Sequence, residues 1–338
     1  MPFSVNDFPK NGGLSNKLSQ LFDRDIRIVS VEPIEDFQKL KAISDAGDVF
    51  FVYSLDENFN DYFKKLEQAT KKEAIARYMP KQFGCVAVLE IKDGKFNDYN
   101  SGTPIIVEEQ ARGRTFKQSL DNFSDSEKFD HELKERLFGP MKLIAEFREI
   151  RPEKYTPFVD DFTYEFMSLI TKLENDTNVT DMSEARRAFG KWLPAIRKRH
   201  LSVIHGNFLP ENLIESGDEF KLFNHSGFLH GDISLDVAGL IFGIIESSYT
   251  TYGRIKEPYI TAVSLLIQSC NDNGIKEITK VLIPYISYFA FKECLKLNHG
   301  SHFFNMARNI LNEDEFDINE INFLMELEFE TEKHEAED

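Results

Sequence analysis

The string SVIHGNFLPENLI, residues 202–214, sets three histidine or asparagine side chains in a loop that follows an apolar segment. They are His205, Asn207 and Asn212. An asparagine amide cannot accept a proton near pH 7, although its oxygen can contact a metal ion without adding charge. These residue types therefore raise the question of whether the loop catalyses a reaction or keeps only the framework for one.

Two other strings carry polar residues before and after this loop. NHSGFLHGDISLDVAGL, residues 224–240, contains Asn224, Asp232 and Asp236. IIVEEQARGRTF, residues 105–116, is a strand-like run that contains Glu108 and ends in a glycine-containing segment. Each string alone is a weak signal, whereas the three in this order and spacing are fairly specific.

Together the strings resemble the motifs of the aminoglycoside phosphotransferase and choline kinase family. HGNFLPENLI is similar to the family's catalytic loop, H-G-D-x-x-x-x-N, with Asn207 in place of the Asp. The later string is similar to I-D-W-x-x-x-x-G-D-P-x-x-D-L-A and places Asn224 at its metal-binding Asp. The earlier string resembles the family's hinge strand and its Gly-x-Thr-hydrophobic exit. The residues in register are His205, Gly206, Asn212, Gly231, Asp232, Asp236 and Ala238.

The residues also allow interpretations outside that family. The His-Gly-Asn turn could be structural only, with His205 a core histidine and Gly206 supplying a positive φ. His230-Gly231-Asp232 is a second HGD triplet, but no Asn stands five residues beyond its Asp. In an unrelated helical or α+β protein, the segments SVIHGN and KLFNHSGF need not be neighbouring strands.

By the resemblance, four requirements of phosphoryl transfer are missing. The reaction needs a carboxylate to accept the hydroxyl proton, charged ligands for Mg²⁺, a lysine and a loop that wraps the nucleotide. Asn207 stands at the proton acceptor, a loss of roughly 10²- to 10⁴-fold in rate, and Asn224 at the principal metal position. Tyr53, or Ser54 in a shifted register, replaces the lysine. The expected nucleotide turn, EPIEDF, has no glycine and three acids that repel phosphate, Glu32, Glu35 and Asp36.

Some parts of the family's site remain. Glu73 stands where the family's helix glutamate pairs with the lysine, although a solvated helix charge is the other interpretation. Asn212 keeps the second amide on the metal side. With Tyr53 and Glu108, Glu73 would line a degenerate nucleotide pocket.

The joint loss predicts a kinase-fold pseudoenzyme, a binding or regulatory protein without efficient phosphotransfer. We expect no cofactor, and a protein partner or a small ligand in the cleft between two lobes. The alternative is an active phosphotransferase acting on an alcohol group, or a nucleotidyl transferase. It would use ATP and Mg²⁺, with displaced carboxylates such as Asp232 or Asp236 as metal ligands.

Around these strings, the sequence pattern changes from strand-like to helical near residue 115. Before it, IRIVSVEPI, KLKAIS, DVFFVYSL, CVAVLEI and TPIIVEEQ read as strands, and residues 60–79 have apolar residues at helical spacing. After it come helical stretches at 132–150, 159–175 and 181–200, opened by Asp or Ser residues that suit caps, and more beyond 236. EFKLFNH adds a strand-like piece.

This order predicts an α+β, two-lobed protein-kinase-like fold. A small antiparallel sheet with one helix forms the first lobe, and a larger, mainly helical lobe follows. The predicted boundaries are an N-terminal extension at 1–24, the first lobe at 25–115, the helical lobe at 116–312 and an acidic tail at 313–338. The helical lobe would contain the catalytic-loop equivalent, 203–214, and the metal-loop equivalent, 222–240.

Charge and composition exclude several classes of protein. The net charge of −17 argues against nucleic acid as a partner, because such binding relies on clustered Lys and Arg. The last 26 residues hold 12 acids and one Lys. We interpret them as a solvated segment or, alternatively, as an interaction tail around INFLMELEF.

No apolar run is long enough for a membrane helix, and the N-terminus lacks the order of a secretory signal, so we expect a cytoplasmic protein. Cys85, Cys270 and Cys294 show no metal-ligand spacing and are predicted to be reduced thiols. Trp192 should anchor the helical core. The basic cluster at 197–200 should cap a helix C-terminus, with a phosphate site as the less favoured alternative.

Overall fold

Two compact units make up the chain. The first comprises Met1–Phe116 and Asn212–Leu229, and the second Lys117–Glu211 and His230–Asp338. The computed structural model describes residues 13–34, 39–54, 78, 82–87, 91–92, 95–96, 103–108, 113–121, 129–152, 157–177, 182–216, 219–223, 230–296 and 301–327. The predicted helix at 60–79 lies outside them, apart from Tyr78.

The first unit contains a five-stranded antiparallel sheet in the order β1-β2-β3-β7-β4. Its strands are β1 Ile28–Ile34, β2 Lys39–Ser44, β3 Val49–Ser54, β4 Gln82–Ala87 and β7 Thr103–Glu108, and a separate ribbon pairs β5 Ile91–Lys92 with β6 Lys95–Phe96. Four of the five strands lie within the β-like runs of the sequence, whereas β4 begins three residues before the run CVAVLEI and shares only residues 85–87 with it. The predicted small antiparallel sheet is therefore confirmed.

One face of this sheet is covered by a helix that the sequence did not predict. Helix α1, Gly13–Phe22, places Leu14 and Leu18 in one buried cluster with Phe50 and Val52 of β3. Burial of such side chains contributes roughly 1.5–3 kcal/mol each. Residues 13–22 are thus part of the first unit's core rather than of an extension.

A hairpin from the middle of the chain also belongs to the first unit. Strand β10, Leu213–Ser216, pairs with β11, Glu219–Leu222, and on its other side with β8, Arg114–Thr115. These pairings explain why residues 212–229 group with the first unit, although the sequence placed them in the helical lobe. Within this hairpin EFKL pairs with β10, and the part of KLFNHSGF from residue 224 on falls outside the described residues.

The second unit is mainly helical, as predicted. Its helices, together with α2 at the boundary, are α2 Phe116–Asp121, α3 Phe129–Arg148, α4 Phe158–Thr177, α5 Ser183–Arg197, α6 Ser234–Tyr252, α7 Glu257–Asp272, α8 Ile278–Lys296, α9 Ser301–Ile310 and α10 Ile321–Glu326. Aromatic rings fill the space between α4, α5 and α8. Phe166 stacks on Phe189 with centroids 4.0 Å apart, and Phe162 meets Tyr285 at 5.0 Å. Aromatic pairs of this kind add to the stability that burial alone gives.

Two local predictions on α5 can be checked. Trp192 is half-buried rather than a core residue, and its Nε1 donates a hydrogen bond to the carbonyl oxygen of Leu311, 3.2 Å away. The predicted polar cap is wrong for this helix. Its N-cap residue is Met182, which makes no side-chain cap bond, and the backbone N–H of Met182 donates to Glu174 instead.

The acidic C-terminal region is folded as far as residue 327. A 3-10 turn at Ile318–Glu320 leads into α10, whose Ile321, Leu324 and Met325 are buried. Asn322 accepts from the backbone N–H of Ile255 at 2.7 Å and donates to its carbonyl at 3.0 Å. Burial of these apolar residues stabilises the segment although acidic residues surround it. The acidic tail, which was predicted to begin at residue 313, therefore begins no earlier than residue 328.

Two of the three cysteines are described with their side chains. Cys270 and Cys294 are buried thiols that take part in no disulfide among the described residues, which agrees with the predicted reduced state, and burial raises the pKa of each thiol to about 12. In the part of the chain that the structure describes, no helix combines the length and the apolarity needed to cross a membrane.

Candidate functional site

The loop after β9, Leu201–Val203, is a buried turn. Strand β9 pairs antiparallel with β12, His230–Asp232, and the chain then turns at Gly206, whose φ of 73° lies in the left-handed region that favours glycine. His205 and Asn207 are 0% and 3% exposed. The loop therefore has a defined conformation, and the conformational role expected of the glycine is confirmed.

A carboxylate from α6 holds this turn in place. The Oδ2 of Asp236 accepts the backbone N–H of His205 and its Oδ1 accepts that of Gly206, each at 2.7 Å. Asp236 is fully buried, and this burial raises the pKa of its carboxyl to about 7, against the lowering effect of the two hydrogen bonds. Its role is to position the loop.

Asp232 is the centre of a second buried network. Its Oδ1 accepts from the backbone N–H of Ser234 at 3.0 Å, and its Oδ2 from Arg199 Nε at 3.1 Å and from the Tyr285 hydroxyl at 3.2 Å. Burial, and then the charge of Asp232, raise the pKa of Tyr285 well above its usual value. The four carboxylate oxygens of Asp232 and Asp236 thus all accept hydrogen bonds. Both carboxylates therefore have a structural role in holding the loop and its flanking strand.

The sequence missed the role of Arg199. It was expected to act with its basic neighbours at a helix end, and α5 does end at Arg197 with Lys198 as its C-cap residue. Its guanidinium instead reaches Asp232 and Ser234, and also donates to the carbonyl of Lys276 at 2.6 Å. The only indication of this role in the sequence is the position of Arg199, one residue beyond the C-cap residue and shortly before an apolar strand.

The end of the loop rests directly on α6. A Cβ at Gly243 would lie 2.1 Å from Cδ and 2.7 Å from Cγ of Pro210, so only a glycine allows this approach. Pro210 opens the 3-10 turn Pro210–Asn212. The backbone oxygen of Asn212 accepts from Phe223 at 2.9 Å, and its side chain is 3% exposed.

A partly buried charge cluster surrounds Glu246, which lies on α6 one turn beyond Gly243. Lys117 Nζ is 2.7 Å from Glu246 Oε1 and 3.9 Å from Glu211 Oε2. Burial lowers the pKa of Lys117, but the attraction of Glu246 and its acidic neighbours outweighs it, so the pKa is raised. Burial raises the pKa of Glu246 despite Lys117. The sequence offered no signal for this cluster, because its members are far apart in the chain.

The remaining predicted residues are placed only in part. Tyr53 lies in β3, opposite Ile106 of β7, and Glu108 is buried at the end of β7. Glu73 and Asn224 fall outside the described residues. Of the expected nucleotide turn EPIEDF, the first three residues lie in β1, where Glu32 pairs with Lys41 of β2, and residues 35–37 fall outside the described residues.

The residues present do not suit Mg²⁺ well. Asn207 and Asn212 offer uncharged amide oxygens, whereas protein sites for Mg²⁺ use one or two carboxylates beside phosphate oxygens. Among the described residues, no three His, Cys, Asp or Glu side chains gather closely enough to hold a metal ion. We therefore derive no reaction step through a metal ion or a nucleotide.

The sheet unit, the helical unit and the supported loop define a protein-kinase-like fold. The structure is similar to that of aminoglycoside phosphotransferase APH(3'')-Id from Streptomyces rimosus, with 13% identity, a TM-score of 0.50, and coverage of 81% of this chain and 98% of that one. This likeness confirms the fold predicted from the motifs.

Two further structures are similar to the chain at lower scores. One is an aminoglycoside-3'-phosphotransferase of type VIII, with 13% identity, a TM-score of 0.49, and coverage of 82% of this chain and 97% of that one. The other is choline kinase LicA from Streptococcus pneumoniae, with 16% identity, a TM-score of 0.49, and coverage of 88% of this chain and 97% of that one. No protein-family model and no curated protein sequence matches the chain. Function has to be argued from the site, since one fold hosts many activities.

Proposed function

We propose that this protein is a kinase-fold pseudoenzyme, which binds a small ligand or a protein partner and does not transfer phosphoryl groups efficiently. The observation that carries the proposal is the amide of Asn207 at the position where the fold's kinases need a proton acceptor. A neutral amide has no basic site near pH 7. Loss of general-base catalysis corresponds to about 10²- to 10⁴-fold in rate.

The surroundings of Asn207 support this proposal. Asp236 and Asp232 hold the loop and its flanking strand through buried hydrogen bonds, so the scaffold is present although the acceptor is not. Tyr53 at the lysine position lacks a positive charge and Asn224 at the metal position lacks a negative one, and each loss weakens the binding of a nucleotide with its metal ion. A scaffold kept without its charged groups suits binding better than chemistry.

A thermal-shift titration with ATP tests the proposal, carried out with Mg²⁺, with Mn²⁺ and without metal. A ligand that binds only the folded state raises the unfolding temperature in proportion to its occupancy. We expect no metal-dependent rise for the wild-type chain. A strong rise that requires metal, together with release of ADP, would identify an active phosphotransferase and reject the proposal.

The double variant Asn207→Asp/Asn224→Asp extends the test. If it gains metal-dependent ATP binding, the two amides are the main obstacle. If it also fails to bind ATP, the acidic turn and the missing lysine contribute to the loss. A variant such as Asn312→Asp, at an exposed position of the second unit, controls for the added charge.

A further inference from the structure

The solvent face of α5 is a basic stripe. Arg187, Lys191 and Lys198 are exposed and, at 3.6 residues per turn, fall within a band about 100° wide. The small residues Gly190 and Pro194 lie between them and are also exposed. Arg197 adds a fourth exposed cation beside the stripe. Because no long side chain interrupts it, an extended segment could lie along this surface.

The cations of the stripe are not neutralised by the rest of the helix. Its single acid, Glu184, contacts Arg308 of α9 at 3.5 Å, and Arg186 is bound by Glu174 of α4 at 2.5 Å. Among the described residues, the four exposed cations form no ion pair or hydrogen bond through their side chains. A positive surface thus stands on a chain whose net charge is −17.

The C-terminal residues 328–338, EFETEKHEAED, have the complementary charge. They hold six acids and one Lys. Glu313, Asp314 and Glu315 also follow the contact between Trp192 and Leu311, but they make no ion pair with the stripe in the part of the chain that is described. The last eleven residues, which lie outside the described part of the chain, carry a net charge of −5 by this count of six acids and one Lys.

The segment starts near the N-terminal end of the stripe and is long enough to follow it. The carbonyl of Leu327 accepts from Asn309 of α9 at 3.0 Å, and the adjacent Arg308 reaches Glu184 in the first turn of α5. Eleven extended residues span at most about 36 Å. The 15-residue helix is about 22 Å long.

We propose that the basic stripe is the docking surface of the chain's own acidic segment, 328–338. Exposed ion pairs are individually weak, but a tethered segment has an effective concentration in the millimolar range, so several weak pairs suffice. The docked segment would cover the stripe against other acidic polypeptides. Nucleic acid fits the stripe less well, because the chain's overall negative charge repels a polyanion.

Zero-length carbodiimide cross-linking of the full-length protein tests the proposal. The reagent joins a carboxylate to a lysine amine in contact with it, and mass spectrometry locates the product. We expect cross-links from 328–338 to Lys191 and Lys198, and a loss of at least about fivefold at 0.5 M salt, where screening shortens the reach of exposed charges. Equal yields at the exposed control lysines Lys142 and Lys276 would overturn the proposal.

Two further measurements keep the test decisive. Mixing chains of normal and heavy isotope composition separates contact within one chain from contact between copies, and products found only between copies would contradict docking within the chain. A labelled peptide, EFETEKHEAED, should bind a full-length chain with all tail acids changed to amides several-fold more tightly than the wild type. Arg187→Glu/Lys191→Glu should abolish that binding, whereas the charge-matched Lys142→Glu/Arg254→Glu should not. Equal binding to wild type and to the amide-tail chain would also contradict the proposal.

Discussion

A substitution at Gly243 would show whether the catalytic-loop equivalent is held firmly on α6. In Gly243→Ala the new Cβ would lie 2.1 Å from Cδ and 2.7 Å from Cγ of Pro210. Non-bonded carbon atoms prefer about 3.5–4.0 Å, so the overlap is well over 1 Å. A proline ring cannot rotate away from it. Relief requires a shift of the loop or of the helix.

The size of the effect follows from two opposing contributions. Replacing Gly by Ala inside a helix normally stabilises it by about 1 kcal/mol, whereas overpacking costs about 1–3 kcal/mol and occasionally more. With so large an overlap on a rigid ring, we expect a net loss of about 1–2 kcal/mol. Gly190→Ala in α5 is the matched control, because a Cβ there meets nothing within 4 Å. That variant should be more stable than the wild type.

Urea-induced unfolding of both variants, followed by circular dichroism, provides the free energies. The double variant Pro210→Ala/Gly243→Ala should recover part of the loss, because contacting residues are not additive. If Gly243→Ala is as stable as Gly190→Ala, the loop does not rest on α6 as described. Contact with α6 would then not explain the conformation of the loop.

Three other predictions concern buried groups. For Asp236, whose carboxyl has a pKa of about 7 in the folded state against 3.8 ordinarily, the folded state binds the proton more tightly. Wild-type stability relative to Asp236→Asn should therefore rise by about 2 kcal/mol from pH 8 to pH 5, measured by urea unfolding, and a fall would refute the sign. Lys117→Met leaves the buried Glu246 without its cation and should lower the free energy of unfolding by about 1–3 kcal/mol. Lys280→Met, which removes the exposed pair with Glu277, is the control and should lower it by less than about 0.5 kcal/mol. Equal losses would contradict the difference in burial between the two pairs. Cys270 and Cys294 should resist Ellman's reagent at pH 8 in a Cys85→Ser background until the protein unfolds, and rapid labelling of the native chain would contradict their burial.

Much of the fold could be predicted from local pattern. The five sheet strands follow from β-branched and aromatic runs, and α3, α4 and α5 from apolar stripes. Such signals are local because each element must bury one face of its own. The assignment of residues 212–229 was wrong because it depends on pairing with β8, almost a hundred residues away. Pairing partners leave no trace in local periodicity.

The site was predictable in its motifs but not in its support. Asp236 was found by resemblance and considered as a metal ligand, yet both of its oxygens hold backbone N–H groups. The contacts of Arg199 with Asp232 and of Lys117 with Glu246 join residues distant in sequence, so neither spacing nor composition could indicate them. The C-terminal helix falls under the general expectation of helices beyond 236, but its many acids led to its assignment to a solvated tail.

The most direct test of the central claim is the steady-state rate of ADP formation by the wild-type chain, with Mg²⁺ and a panel of amino-sugar and choline-like alcohols. Asn207→Ala serves as the comparison. The account predicts that both proteins release ADP no faster than a protein-free blank. Substrate-dependent ADP formation by the wild type that disappears in Asn207→Ala would show that the amide position is catalytic, and would contradict the account.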